Sequence, residues 1–145
     1  MPTQLGQKYK IDWRGDPPHM LKPDIPVWYR FLDKWGWQLE DLYYDCLLGG
    51  PALTDVELQD PMKRMWQFNL SKRADAIATT KDQVWIIEVA ADPGLRAIGQ
   101  IQTYQTLWIR DPKIRKPERL VIVAERIDPD LLDAMGMHSI LVYIV

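Results

Sequence analysis

A chain of 145 residues, 47 % hydrophobic and 26 % charged, has the composition of an ordinary soluble globular protein and enough length to bury one core. A net charge of −2 excludes a global attraction to nucleic acid, so any such binding must rest on a local patch. The single Cys46 excludes an intramolecular disulfide and a cysteine-rich zinc site, and no apolar run approaches membrane-spanning length.

Residues 1–24 contain Gly6, Gly15, Pro17, Pro18 and Pro23, with Tyr9, Ile11 and Trp13 as scattered apolar anchors. Proline fixes φ and removes a donor, so this segment reads as an extended N-terminal arm that gains order by packing on a body or a partner. Its start, MPTQLGQKYK, lacks the hydrophobic core of a signal peptide, which sets the expectation of a cytoplasmic protein or a component of a particle assembled in the cytoplasm. His19 and, much later, His138 stand alone, without Cys or His at ligand spacing.

Asp24 precedes a helix predicted from Ile25. Val27, Phe31 and Trp35 recur every four residues, with Trp28 and Leu32 alongside, and Gly36 is the stop. LYYDCLL, residues 42–48, reads as a strand that closes on a Gly49-Gly50-Pro51 turn, and Cys46 within it reads as a small buried hydrophobe. Residues 52–65 predict a loop and a short helical turn after Pro61. NLSKRADAIATT, residues 69–80, then reads as a strand, KDQ as a tight turn, and VWIIEVAA, residues 84–91, as the hairpin partner. LRAIGQIQTYQTLWIRD predicts a helix with Leu95, Ile98, Ile101 and Leu107 on one face, ended by Pro112. LVIVAERI is a buried strand, PDLLDAMGM a short helix opened by Pro129, and SILVYIV a last strand. The order predicts an α/β sandwich, a mixed β-sheet flanked by helices: one domain over residues 25–145 with the arm attached.

Within the hairpin, Asp75 and Glu88 demand attention, because burying a bare carboxylate is costly without a partner, a metal, a proton or an exit to water. Alternation along a strand puts Glu88 on one face with Ile86 and Ala90. A turn near Lys81–Asp82 sets Asp75 nearly opposite Glu88. Two acids on neighbouring strands form an arrangement able to hold Mg²⁺.

Asp75, then Glu88-Val89-Ala90, then Gln100-Ile101-Gln102-Thr103-Tyr104 on the next helix, resemble the core of the PD-(D/E)XK nuclease superfamily in its Gln-x-x-x-Tyr branch. The resemblance spans about residues 25–145 in element order and is sharpest over 73–108. It implies a restriction-endonuclease-like sandwich in which Asp75 and Glu88 take the metal-ligand positions and Gln100 and Tyr104 face the site. An acid from the first helix often completes such sites, with Asp33 and Glu40 as candidates. The departure is Ala90, a methyl where the superfamily carries the lysine that orients water and stabilises phosphate charge. Arg96, Lys72 and Arg73 are the stand-ins, although a guanidinium acts as no base.

Plainer readings exist for each of these residues. Asp75 and Glu88 could be strand carboxylates satisfied by an arginine, Arg73 foremost, and Gln100 and Tyr104 could pack a helix on the sheet. The tryptophans read as core or partner anchors rather than base-stacking platforms. The run RDPKIRKPER offers Lys113, Arg115 and Lys116 to phosphate, or is a solvated loop. Lys63, Arg64, Lys72 and Arg73 form a second basic group.

Two functions follow. In the first, a nuclease-fold protein no longer cleaves and acts as a structural or interaction component of a larger assembly such as a virus or phage particle. Its protein partners would be met through the arm and the aromatic surface, and self-association is compatible with this. In the second, the chain is a Mg²⁺-dependent deoxyribonuclease with a displaced basic residue. The absent lysine, the negative charge and the arm favour the first.

Overall fold

The computed structural model describes residues 3–145. Its six strands form one sheet in which strand order is chain order. The elements are β1 (Lys8–Tyr9), α1 (Ile25–Trp35), β2 (Asp41–Leu48), α2 (Pro61–Leu70), β3 (Lys72–Thr79), β4 (Val84–Ala90), α3 (Arg96–Arg110), β5 (Glu118–Ala124), α4 (Pro129–Met137) and β6 (Ile140–Ile144). Strands β1 to β4 run antiparallel, and β4, β5 and β6 run parallel. The expected α/β class and mixed sheet are present.

Antiparallel neighbours need only tight turns, whereas the two parallel steps require helices, which α3 and α4 supply. Successive right-handed crossovers that move in one direction place their helices on one face. Both pack there: Ala97, Ile101 and Trp108 of α3 and Leu131 and Met135 of α4 are buried against Ile77, Ile86 and Ile122. Helix α1 covers the other face, with Val27, Trp28, Phe31 and Leu32 against Leu42, Ile87 and Val121. Of the helix-spaced residues predicted for α3, Ile101 is core but Leu95 is exposed; Trp108 takes the inward position instead.

The arm folds back on its own domain. Gln4 exchanges two backbone hydrogen bonds with Leu47 at 2.9 and 3.0 Å, and Lys8–Tyr9 adds an edge strand to β2. Tyr9 and Trp13 then close over Tyr44, with ring centroids 4.9 and 5.9 Å away. The short β1 carries no sequence signal of its own.

Between β2 and β3 the structure departs from the expectation of a loop, a turn and an early strand. Residues 61–70 make three helical turns, and β3 starts only at Lys72. Asp60 caps this helix by accepting the Met62 N–H at 2.9 Å, and Pro61 fits the first turn. Helix α2 stops where the Ser71 hydroxyl donates to the Gln67 and Gly49 carbonyls. Gly50 sits there at φ +82°, and a side chain on it would press on the Ser71 backbone. At the other end of the hairpin, the Thr80 N–H donates to the Gln83 carbonyl at 2.9 Å around Lys81–Asp82, as the turn residues predict.

Among the described residues, no helix is long and apolar enough to cross a membrane.

Candidate carboxylate site

Pairing of β3 with β4 runs from Thr79–Val84 to Ala76–Ile87, and continuing that register sets Asp75 opposite Glu88. There the ladder ends. Asp75 Oδ2 accepts the Val89 N–H at 2.8 Å, so a side chain takes over from a strand carbonyl. Val84 and Ile86 face α3 while Trp85, Ile87 and Val89 face α1, which places Glu88 and Ala90 on the α3 side by alternation.

The third acid of the site is Asp24, which the sequence presents only as the residue before α1. Its backbone is already helical, at φ −86° and ψ −23°, so its carboxylate does not cap the helix. Asp24 Oδ1 instead accepts the Ala91 N–H at 3.0 Å, just past the end of β4. Neither predicted acid comes near. Asp33 is exposed and ion-paired to Arg14 at 2.8 Å, and Glu40 sits by Thr79 at the far end of the strands.

Asp24, Asp75, Glu88 and Ala90 line one cavity of about 290 Å³, together with Arg96 and Gln100. Arg96, Gln100 and Tyr104 recur every four residues, so they share a stripe of α3. That stripe continues into a second, open cavity of about 570 Å³, which Lys72 also lines. The two cavities meet at Arg96 and Gln100. Gln100 and Arg96 are exposed at this junction and Tyr104 is half-buried.

The acids of the pocket titrate without an ion pair to any described lysine or arginine, although Arg96 lines the same cavity. Burial pushes the Glu88 carboxyl far above the usual glutamate range, and its hydrogen bond and charge repulsion with Asp75 push it further. The Tyr104 hydroxyl works in the opposite direction by favouring the ionised carboxylate. Burial likewise raises Asp24, with Asp75 adding to the shift, and raises the Tyr104 hydroxyl in front of Glu88. Glu88 is therefore held as a neutral acid at neutral pH.

No ion pair joins Asp24, Asp75 or Glu88 to a lysine or arginine among the described residues. Arg73, the partner considered from sequence, turns instead to Asp45 at 3.4 Å and stacks on Phe68 at 3.8 Å. The His19 Nδ1 lies 2.6 Å from the other Asp45 oxygen, which ties the arm to this cluster.

The donor chemistry suits a hard cation. Asp75 and Glu88 offer carboxylate oxygen alone, and Mg²⁺ takes one or two carboxylates and completes its shell with water and phosphate. A bound dication would also replace the proton that Glu88 retains. Asp24 lines the cavity without joining that donor set: among the described residues, no three His, Cys, Asp or Glu side chains are gathered closely enough to hold a metal ion.

The basic run lies elsewhere. Lys116 donates to the Thr80 carbonyl at 2.7 Å, and Lys113 pairs with Asp111 at 3.2 Å. Arg115 lines a surface hollow beside Trp108. Glu118 pairs with Val84, whereas the acids sit at the Ala90 end of β4. Six residues at ~3.3 Å each separate the two ends by roughly 20 Å. Lys113, Arg115 and Lys116 thus share no surface with the carboxylates, whereas Lys72 and Arg96 flank them.

A scan against protein-family models and searches of curated proteins and of solved structures give no match to the chain.

Proposed function

We propose that the chain is a protein of PD-(D/E)XK nuclease-like fold that no longer cleaves, and that it works as a structural or interaction component of a larger assembly, such as a virus or phage particle. One observation carries this reading: among the described residues the Asp75–Glu88 pair has no lysine or arginine ion-pair partner, and the Ala90 methyl lines the cavity where the superfamily's lysine would stand. Phosphodiester hydrolysis needs a group to orient and activate water and another to stabilise the developing charge. Losing one such group costs on the order of 10²–10³ in rate. The element order and the hairpin carboxylates support the ancestry. The arm's closure over its own sheet leaves partner contact to the exposed aromatic surface, where Trp37 and Trp66 stand out.

One feature supports the alternative, a Mg²⁺-dependent deoxyribonuclease with a displaced basic residue. Arg96 and Gln100 line the same cavity as the acids, and a guanidinium there is able to stabilise phosphate charge. When bound, Mg²⁺ would supply Lewis-acid activation of water and phosphate at Asp75 and Glu88. The chain's own share would be limited to Gln100 and Arg96 orienting a phosphodiester from α3.

A cleavage assay on double- and single-stranded DNA with Mg²⁺ or Mn²⁺ separates the two readings. It compares wild type with Asp75→Ala, Glu88→Ala and Arg96→Ala. The non-catalytic reading expects no cutting above the level shared by all four proteins. Metal-dependent cutting that disappears in both acid variants overturns it, and further loss in Arg96→Ala identifies the displaced cation.

A further inference from the structure

The two edges of the sheet are built differently. Strand β1 is two residues long and carries Lys8, which pairs with Asp41 at 3.4 Å, so shortness and charge blunt that edge. Strand β6 forms the other edge with ILVYI, five apolar residues without a charge, a proline or a bulge. Its neighbour β5 is similarly apolar, and Leu120–Ala124 are all buried. In β6 only Ile140 is buried; Leu141, Val142 and Tyr143 are half-buried and Ile144 is 50 % exposed. Side chains suited to a central strand thus stand at an open margin.

The backbone shows which residues are available. The Val145 N–H donates to the Ala124 carbonyl at 2.8 Å, so Val145 turns toward β5. This direction alternates along a strand, so Leu141 and Tyr143 also turn toward β5. Ile140, Val142 and Ile144 turn their N–H and C=O groups away from it. Among the described residues no other backbone bonds these outward groups. Ile140 is covered, which leaves Val142 and Ile144 as the accessible pair. Such a row is completed by another extended backbone.

The side chains identify that backbone. An incoming strand must be apolar on both faces, because Leu141 and Tyr143 join the core under α1 and Val142 the core under α3. Centred on Tyr143, residues 141–145 read aliphatic, β-branched, aromatic, β-branched, aliphatic in both directions. A copy laid antiparallel therefore meets its own kind at every position. A two-fold axis at Tyr143 sets Val142 of each copy against Ile144 of the other. Both are hydrogen-bonded pairs, so every accessible N–H and C=O gains a partner. Tyr143 meets Tyr143 at a non-hydrogen-bonded position, where side chains approach closest and aromatic pairs stabilise. Each Tyr143 already lies against Phe31 and Trp35, with ring centroids 5.0 and 5.4 Å away, so the aromatic layer continues across the axis. Pairing β6 with β1 of another copy offers only Lys8–Tyr9 as a match, and it would propagate head to tail instead of closing.

We infer that the β6 edge is a homodimer interface, where two copies pair antiparallel about Tyr143 into one continuous sheet. This goes beyond the reading of the carboxylate site, since β6 lines none of that cavity.

Sedimentation across a concentration series measures the assembly, with circular dichroism as the check on folding. Wild type is expected to dimerise. Ile144→Lys sets a charge on the exposed edge and is expected to abolish the dimer. Ile144→Pro removes an N–H that points away from β5, so it keeps the β5 ladder and is also expected to be monomeric. Amide hydrogen exchange on wild type reads the register without any substitution. The Val142 and Ile144 amides should exchange fast in dilute protein and slow by roughly 10-fold or more on dimerisation, while the Tyr143 amide stays protected throughout. A wild type that remains monomeric overturns the inference, whether or not the edge accepts some other extended peptide. So does a dimer that both Ile144 variants leave intact, or one in which Val142 and Ile144 still exchange fast.

Discussion

Asp75 reaches across the end of the hairpin to take the Val89 N–H at 2.8 Å, which seats its carboxylate against Glu88, the residue immediately before. The acid is positioned by the backbone it serves, just beyond the last paired residues of β3 and β4, Ala76 and Ile87. Glu88 thereby gains an anionic neighbour in a half-buried setting, and that juxtaposition governs how the protein responds to pH.

The Glu88 carboxyl is raised in the folded state relative to its ordinary value of about 4.5. Between those two values the folded protein binds more protons than the unfolded chain, so stability is greatest below the ordinary value and falls as pH rises toward the folded one. Glu88→Gln keeps the shape and removes the titration. It is expected to match wild type near pH 5 and to exceed it by about 1–3 kcal/mol at pH 8. Urea unfolding at the two pH values checks this, and a wild type equally stable at both would refute it.

Ala90→Lys places an ammonium on the strand face that carries Glu88. The cation lowers the Glu88 carboxyl toward the ordinary range and so flattens the alkaline loss of stability. If the site keeps its ancestral geometry, metal-dependent DNA cleavage rises by roughly 10²–10³-fold over wild type. Melting temperature against pH reads the first effect, and the nuclease assay reads the second.

Two substitutions at Asp75 separate its structural duty from its charge. Asp75→Ala leaves the Val89 N–H without its acceptor, a loss of about 1–3 kcal/mol, partly offset by relief of repulsion on Glu88. Asp75→Asn keeps an acceptor and removes the charge, so it should be the more stable of the two at pH 8. Chemical denaturation of both variants ranks them directly.

On the other face of the sheet, the buried Trp28 Nε1–H donates to the Tyr44 hydroxyl at 2.8 Å. Tyr44→Phe orphans that donor inside the core beneath Tyr9 and Trp13, and is expected to cost about 1–3 kcal/mol with no change at the carboxylate site. Burial pushes the Tyr44 hydroxyl up, so it remains a neutral partner through the alkaline range and the cost should not vary with pH. Denaturation at pH 6 and pH 9 tests both statements.

The hairpin and its acid pair were readable because alternation and register are local: a turn at Lys81–Asp82 is enough to oppose residues 75 and 88. Asp24 was not, since its role depends on α1 starting beside the end of β4, 67 residues away in sequence. Helix α2 escaped for another reason. Its apolar stripe at 62, 65, 66 and 70 faces outward, while Asn69 and Leu70 run directly into the β-prone residues of β3. The Asp60 cap and Pro61 were the visible clues, and they mark a start without fixing a length. The basic loop offered two readings in one dimension, a phosphate contact or a solvated loop; in the fold its lysines meet Asp111 and the Thr80 carbonyl.

A sheet whose strands are stacked in chain order also has a history built into it. As synthesis proceeds, β3, β4, β5 and β6 each emerge beside a neighbour that has already left the ribosome, and no strand must be inserted between two that have paired. The β3–β4 hairpin closes through the turn at Lys81–Asp82, whereas each parallel step waits for its crossover helix, so the hairpin is the part of the sheet expected to pair first.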